Sequence, residues 1–284
     1  MSLRQPEVNG ASPTVPTGWH MAAEREEWLS MVGRTAEQDV SVPLLRASWE
    51  TLTFVHWRVA ADQIQTLLPP GLAVDEYDGS AWVGLTPFVM VNMRPLGVPD
   101  LPGDLPIVPG LKHPPRLSDV SSTPETNLRT YVRGPDGRDG LWFLSLDIGS
   151  ATLAAVFRSV IGAPYHHARL TVERQGEVLT YTGSRVDGSE SYRLQMRPGH
   201  PIVASDFEVW LTGRWRAYTK HLGRLLATPI SHEPWPLREA RLEAMEQNLT
   251  ESVGLSGLTD PPLVHFSNLV RHVRVGRPAI LPSH

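Results

Sequence analysis

Residues 123–148 read TPETNLRTYVRGPDGRDGLWFLSLDI, and this stretch decides the fold because it has the pattern of a β-hairpin. Its two arms, 127–133 and 141–148, are rich in β-branched and aromatic residues. The sequence Gly134-Pro135-Asp136-Gly137 lies between them and is typical of a turn. The stretch therefore predicts two neighbouring antiparallel strands.

The rest of the chain repeats this pattern more often than it shows helical periodicity. Further strands are predicted at residues 49–59, 81–93, 165–173, 177–184, 191–197, 207–212 and 264–275. Helices are predicted at residues 60–68, 150–161 and 236–251, with prolines or glycines at their ends. Many strands and few helices predict an α+β fold built on a curved, largely antiparallel β-sheet or barrel.

A length of 284 residues allows one or two domains. Residues 1–18 are rich in proline and small residues and are expected to form a flexible leader. Residues 19–41 are expected to form a helical arm, whose Trp19, Met21 and Trp28 would be exposed unless they packed on the barrel or on a second subunit of a homo-oligomer. Residues 42–281 are interpreted as a single domain.

Charge and cysteine content exclude several classes of function. The formal charge of −4 gives no general attraction to phosphate backbones, so no nucleic-acid partner is expected. The chain has no cysteine, which excludes disulfides and thiolate metal sites. Neither a membrane-spanning apolar run nor a signal-peptide pattern is evident, so we expect a cytoplasmic protein with no membrane partner.

No nucleotide-binding, zinc-protease or serine-hydrolase motif is present, and no cofactor is expected. The adjacent His166 and His167 could suggest a metal site, but neighbouring side chains on a strand point to opposite faces. We therefore expect no metal, and at most one of the two histidines to face any one site.

Alternation along the first arm of the hairpin places Glu125, Asn127, Arg129 and Tyr131 on one face. Such a face needs partners if it is buried. Two interpretations remain open: either the face is solvated or Glu125 and Arg129 pair with each other, or else the face is the wall of a polar pocket. In the second, Arg129 would bind a carboxylate through two hydrogen bonds, with Asn127 beside it.

Two further segments carry polar and aromatic residues. The stretch 211–220 contains Arg214, Arg216, Tyr218 and Lys220, and either lines the same pocket, with Arg214 and Tyr218 binding ligand, or forms an amphipathic rim. The sequence His232-Glu233-Pro234-Trp235-Pro236 joins a histidine to a glutamate, but its prolines and tryptophan favour a rigid buried turn.

Together the motifs resemble the uncharacterised YqjF-like family over roughly residues 44–275. The resemblance rests on Trp49, His56-Trp57, Leu67-Leu68-Pro69-Pro70-Gly71-Leu72, Ala81-Trp82-Val83-Gly84, Pro87-Phe88, Asn127-Leu128-Arg129-Thr130-Tyr131-Val132, Trp142-Phe143-Leu144-Ser145-Leu146-Asp147, Gly162-Ala163-Pro164-Tyr165, Pro234-Trp235-Pro236-Leu237 and His265-Phe266-Ser267. That family is similar in turn to the acetoacetate decarboxylase superfamily, which implies a curved antiparallel barrel around a central pocket.

The resemblance also implies a change of chemistry. Those decarboxylases carry Pro-Lys-Lys after a helix, and the first lysine forms a Schiff base; the similar stretch here is Pro164-Tyr165-His166. Glu125 matches a pocket glutamate of the decarboxylases. A phenol cannot form an imine with a ketone, so Tyr165 or His166 is expected to act as a proton donor and Glu125 as a base. Because neighbouring side chains on a strand point to opposite faces, only one of Tyr165 and His166 is expected to face the pocket squarely.

Two functions are therefore weighed for a pocket that takes a small, anionic organic ligand. The first is an acid–base enzyme that acts on oxo- or hydroxy-acids without a Schiff base, and the second is a binding module that performs no chemistry. A structural role for the arm and barrel is the third alternative. Lys112 and Lys220 are the only lysines, so amine chemistry has few candidates.

Overall fold

A computed structural model of the chain describes residues 35–96 and 122–282. Strands dominate this part and four short helices accompany them, which confirms the predicted α+β fold. The strands are β1 Leu45–Val59, β2 Ala73–Val74, β3 Ala81–Pro95, β4 Thr123–Arg133, β5 Asp139–Ile148, β6 Tyr165–Gln175, β7 Val178–Arg185, β8 Ser191–Pro201, β9 Arg216–His221, β10 Arg224–Ser231, β11 Leu237–Gln247, β12 Leu263–Val275 and β13 Ala279–Ile280. The helices are α1 Ala61–Gln65, α2 Ala151–Ile161, α3 Asp206–Thr212 and α4 Leu249–Ser252.

The sheet formed by these strands closes on itself twice. Pairing of β4 with β5 closes a ring in the order β5-β6-β7-β8-β11-β12-β1-β3-β4, and pairing of β10 with β12 closes a second ring, β5-β9-β10-β12-β1-β3-β4. Among the described strands, β5 pairs in parallel with β6 and with β9, and the other pairs are antiparallel. Strands β1, β3, β4, β5 and β12 belong to both rings.

A large apolar core packs between β1, β3, β7 and β8. Its fully buried members include Val55, Leu85, Tyr181, Leu194 and Met196. Burial of one such side chain contributes about 1.5–3 kcal/mol relative to exposure. The cavity described below lies in the seven-stranded ring.

Two predicted elements are wrong, and the physical reasons differ. Residues 207–212, predicted as a strand, belong to helix α3, because Ser205 and Glu208 form a capping box at its start. Residues 237–247, predicted as part of a helix, form strand β11. Their helix-forming side chains are overridden by pairing with β8 from Tyr192 to Pro201 and with β12.

Strand β10 has no counterpart among the predicted strands. A two-residue turn, Leu222-Gly223, joins β9 to β10, and both residues have positive φ, 48° and 79°. Turns of this kind usually carry Asn-Gly or Asp-Gly, and leucine at the first position hides the signal. Leu222 is 88% exposed, so its side chain is not held there by packing.

The predicted leader and most of the predicted arm lie outside the described residues, and residues 35–41, at the end of the arm, are irregular. The division into leader, arm and domain stays a prediction. None of the described helices is long and apolar enough to cross a membrane.

Candidate functional site

A cavity of about 130 Å³ lies inside the seven-stranded ring. Each of the seven strands contributes lining side chains, and α2 and the start of β6 close one side. The lining residues used in the argument below are Trp49, Glu125, Asn127, Arg129, Phe143, Tyr165, Arg214, Thr219, Thr228, Ile230, His232 and Trp235. For comparison, a cavity of about 150 Å³ holds one benzene molecule. The cavity therefore suits a ligand of roughly that size.

Strand β4 supplies the polar wall of this cavity. Glu125, Asn127 and Arg129 alternate along the strand and all three line the cavity. They lie opposite Phe88, Thr86 and Gly84 of β3. Tyr131, next on the same face, is instead buried away from the cavity, where its hydroxyl donates to the Leu211 carbonyl at 2.8 Å and contacts His56 Nε2 at 2.8 Å.

Glu125 and Tyr165 form a buried pair within this wall. The Tyr165 hydroxyl lies 3.3 Å from each carboxylate oxygen of Glu125, toward which it donates. Burial raises the pKa of Glu125 to about 8, although hydrogen bonds from Tyr165 and Asn127 oppose that rise. Burial and the neighbouring carboxylate raise the pKa of Tyr165 well above its usual value. At neutral pH Glu125 is therefore mostly protonated and uncharged.

Arg129 is the cation of the cavity. Its side chain is 7% exposed, and its guanidinium lies over the ring of Phe54 at 5.3 Å. Nε of Arg129 has no hydrogen-bond partner among the described residues, and no described carboxylate forms an ion pair with it. Burial lowers the pKa of Arg129, yet an arginine stays charged in proteins. The cavity thus carries an unneutralised positive charge.

Several other polar atoms of the lining are buried without a hydrogen-bond partner in the described part of the chain. They are Asn127 Oδ1, Arg214 Nη2, Thr219 Oγ1 and Thr228 Oγ1. A buried polar atom that forms no hydrogen bond costs about 1–3 kcal/mol. The cavity therefore offers donors and acceptors that a small polar ligand can satisfy.

Arg214 lines the cavity as predicted, but its charge is already neutralised. Its Nη1 lies 2.7 Å from Asp75 Oδ2 and 2.7 Å from Asp139 Oδ2, and its guanidinium stacks on Trp210 at 4.4 Å. Among its side-chain nitrogens, Nη2 is left without a partner. Arg214 is therefore a structural cation in contact with the cavity, and its role in binding a ligand stays a prediction.

Tyr218 and His166 lie outside the cavity, in contrast to the sequence-based expectation. Tyr218 donates to the Arg138 carbonyl at 2.9 Å, at the turn between β4 and β5. His166 follows Tyr165 on β6 and so points to the other side of the strand, beside Asp147 and Arg185; burial and Arg185 lower its pKa. The structure therefore does not bring Tyr218 and His166 to the cavity lining, and the roles predicted for them stay predictions.

Another part of the cavity lining is aromatic. Trp49 and Trp235 stack with their ring centroids 5.6 Å apart, and His232 packs against both at 5.4 and 4.7 Å. The His232 Nδ1 pairs with the Glu233 carbonyl at 2.6 Å, and burial lowers the pKa of His232 to about 4. The segment is thus a buried turn, and His232 is neutral at neutral pH.

Sequence reasoning missed the threonines of the lining, Thr212, Thr219 and Thr228. Thr219 belongs to β9 and alternates with Ala217, which also lines the cavity, so a period of two could have placed it. Thr228 could not be placed because the strand that carries it, β10, was not predicted. Thr212 ends α3, which was interpreted as a strand.

No amine among the described residues reaches the cavity. Lys220 follows Thr219 on β9 and is exposed on the outer face; Lys112 lies outside the described residues. Within residues 35–96 and 122–282, no three His, Asp or Glu side chains are close enough together to hold a metal ion.

Comparison of the sequence with known families gives a match over residues 46–271 to DUF2071, a family described as an uncharacterized conserved protein. The sequence is also 30% identical over 245 residues to the uncharacterized protein YqjF of Bacillus subtilis strain 168. The alignment covers 84% of this chain and 94% of that protein.

Comparison of the structure finds the same fold in enzymes. Acetoacetate decarboxylase from Legionella pneumophila superposes with a TM-score of 0.58 at 14% identity, covering 94% of this chain and 98% of that one. The enduracididine biosynthesis enzyme MppR, solved in complex with pyruvate, superposes with a TM-score of 0.57 at 13% identity, covering 87% of this chain and 93% of that one. At these identities the likeness shows an acetoacetate decarboxylase-like fold.

Proposed function

The chain belongs to the DUF2071 family of uncharacterized conserved proteins, and we propose that it binds a small organic anion in the cavity of the seven-stranded ring. The observation that carries this proposal is the buried guanidinium of Arg129, which faces the cavity without a carboxylate partner within residues 35–96 and 122–282. An isolated buried charge is costly, and a carboxylate bound by two hydrogen bonds offsets that cost.

The size and lining of the cavity support a short oxo- or hydroxy-acid as the ligand. About 130 Å³ accommodates an acid of three to five carbons and excludes a nucleotide or a coenzyme. The aromatic rings of the lining suit the apolar end of such an acid, while Thr219 and Thr228 suit its oxo or hydroxy oxygen. The complex of MppR with pyruvate supports this ligand class by analogy of fold.

We propose further that Glu125 exchanges a proton with the bound acid, with Tyr165 as a hydrogen-bond donor. A pKa of about 8 leaves about one tenth of Glu125 as carboxylate at pH 7, and a pKa near the working pH favours both acid and base catalysis. The carboxylate would take a proton from the carbon beside the ligand's carbonyl, and Tyr165 would donate to the carbonyl oxygen. No amine is needed for this step.

The alternative function is a binding module that performs no chemistry. One observation favours it: Tyr165 and Glu125 already form hydrogen bonds with each other, so the pair is satisfied without a substrate. Both functions require the same cavity and the same guanidinium, and they differ in whether Glu125 releases its proton to the ligand.

Binding is tested by thermal unfolding with pyruvate, lactate and, as a neutral control, acetone. We expect both acids to raise the unfolding midpoint by mass action and acetone to leave it unchanged. Arg129→Met should fold, since methionine fills similar space without a charge, and should lose the stabilisation by the acids. Equal effects of pyruvate on the wild type and on this variant would refute the proposed site.

Proton exchange is tested by NMR, following deuterium uptake into the pyruvate methyl group in D₂O. We expect the wild type to accelerate the uptake, and Glu125→Gln to abolish the acceleration while still binding pyruvate. Tyr165→Phe should reduce the rate with little change in binding. Binding without accelerated exchange in the wild type would leave the binding module as the function.

A further inference from the structure

The wall between β9 and β6 is interrupted along β5. On this edge β5 pairs with β9 at Leu141 and Trp142, and with β6 from Leu146 to Ile148. Residues 143–145 therefore lie between the two partner strands and pair with neither. Because β5 is a member of both rings, this interruption is a seam in the wall of the ring that holds the cavity.

A β-bulge falls in the same place. Opposite β5, the register with β4 passes from Leu128 and Ser145 to Arg129 and Phe143, so Leu144 is the extra residue. Trp142, Phe143 and Leu144 are all half-buried, where a regular strand with one solvated face would alternate. The bulge also places Phe143 directly across from Arg129, at the separation of neighbouring side chains on one face.

A groove of about 510 Å³ lies on the outer side of the seam. Phe143 and Thr219 line both this groove and the inner cavity, so their side chains form the partition between the two spaces. Gly162, at the end of α2, forms part of the groove and packs closely on the Lys220 backbone: a Cβ there would lie 2.3 Å from the Lys220 carbonyl oxygen.

The groove and the cavity both carry a positive charge. Lys220 is exposed and lines the groove, and no Asp or Glu is among its described lining residues. The groove thus has a cation at its rim, an aromatic partition at its base and the Arg129 guanidinium behind that partition. This sequence of groups favours the passage of a small anion from solvent to the cavity.

We propose that the groove is the entrance to the cavity and that the Phe143 side chain is its gate. Lys220 attracts the anion to the groove, Phe143 rotates aside at the seam, and the carboxylate then meets Arg129. The direction of travel rests on the proposed function, because it assumes that the cavity takes an anion. The passage itself is a property of the wall and can be measured without any ligand.

The native chain has no cysteine, so a single introduced cysteine reports access to the cavity. We would place it by Thr228→Cys, on a buried lining residue, and measure its rate of modification by the small neutral reagent methyl methanethiosulfonate. In this background Phe143→Trp should slow labelling about tenfold, a change equivalent to about 1.4 kcal/mol of barrier. Phe143→Leu should accelerate labelling.

Ile230→Phe is the matched control. Ile230 lines the cavity but not the groove, so added bulk there should leave the labelling rate unchanged. The thermal midpoint of each variant identifies labelling that follows unfolding. If neither Phe143 variant changes the labelling rate, the proposal is overturned. This holds whether the rate then depends on residue 230 or on unfolding.

The role of Lys220 is tested with an anionic methanethiosulfonate in the same background. Lys220→Glu should slow the anionic reagent several-fold at low salt and leave the neutral reagent unaffected. Arg193→Glu, the same change of charge at an exposed position on β8, should slow it less. Equal effects of the two charge reversals would refute attraction by Lys220. Because labelling requires no binding, a failure here is distinct from a failure of pyruvate to bind.

Discussion

Arg129 owes its position to two neighbours that are far apart in the sequence. On β3, Gly84 lies opposite Arg129, and on β5, Phe143 does. A Cβ at Gly84 would lie 2.9 Å from His56 Cδ2 and 3.6 Å from Arg129 Nε. The missing side chain therefore leaves the space in which the guanidinium and the His56 imidazole pack together.

Gly84→Ala is expected to disturb both groups at once. His56 is fully buried and held by Tyr131, so it cannot move away freely. Overpacking of this kind costs about 1–3 kcal/mol, and a displaced Arg129 should also weaken stabilisation by pyruvate. Denaturant unfolding and thermal shift measure the two effects. A variant that keeps wild-type stability and binding would show that the pocket accommodates the methyl group.

Glu125→Gln is expected to stabilise the protein at alkaline pH more than at acidic pH. The Glu125 side chain keeps its proton up to about pH 8 when folded, whereas an unfolded glutamate loses it near 4.5. The free energy of unfolding is therefore highest below about pH 4.5 and decreases as the pH rises to about 8. The total decrease is on the order of 5 kcal/mol. The glutamine side chain cannot ionise, so the variant does not lose this stability as the pH rises.

Thermal unfolding of the wild type and Glu125→Gln between pH 5 and pH 9 measures this difference. The midpoint of the variant should rise relative to the wild type as the pH increases. A constant difference across that range would show that Glu125 does not titrate with a raised pKa.

At the scale of elements, Asp75 joins segments that the backbone leaves separate. It follows β2 and accepts from Arg214, in the connection between α3 and β9, and from Arg133 at the end of β4, at 2.7 and 2.8 Å. Asp139, the first residue of β5, also contacts Arg214. The cluster holds one end of the cavity ring together and removes the Arg214 charge from the cavity.

Asp75→Asn is expected to destabilise the protein by about 3–5 kcal/mol. The side chains of Asp75 and Arg214 are 4% and 2% exposed, and loss of one partner leaves the other charge buried and less compensated. Glu243→Gln is the control, because its partners Arg241 and Arg197 are 73% and 40% exposed and such pairs contribute at most about 1 kcal/mol each. Similar losses for both variants in denaturant unfolding would contradict this ranking.

At the scale of the whole molecule, the two rings have different contents. One side of the sheet holds the apolar core between β1, β3, β7 and β8, and the other holds the cavity. The cavity is lined from Leu45 to Val275, so its geometry depends on closure of the ring by β10 and β12. No lysine of the described residues lines the cavity, because the Lys220 side chain faces outward.

Incubation with pyruvate and borohydride, followed by the mass of the intact chain, is expected to show no covalent adduct. Tyr165 stands where an amine would be needed, and a phenol forms no imine. Lys220 is separated from the cavity by the wall of β9. A stable adduct mapped to Lys220 would overturn this expectation and place amine chemistry in the outer groove.

Local patterns were sufficient for much of the fold and part of the site. Alternation and turn residues predicted the hairpin of β4 and β5, the shared face of Glu125, Asn127 and Arg129, and α2 between β5 and β6. The same alternation implied that Tyr165 and His166 could not both face the cavity. These features depend on the period of the strand and on turn chemistry, which a short stretch of sequence carries by itself.

Only the tertiary structure decided which of the predicted cations is neutralised by a carboxylate and which strands close the ring. Arg214 is neutralised by Asp75, 139 residues away, and Arg129 is not neutralised by any described carboxylate. Strand β11 forms despite its helix-forming residues, and β10 follows a turn whose leucine hides it. Burial, ion pairing and strand partners are set by residues distant in sequence, and their energies exceed local propensities of less than about 1 kcal/mol per residue.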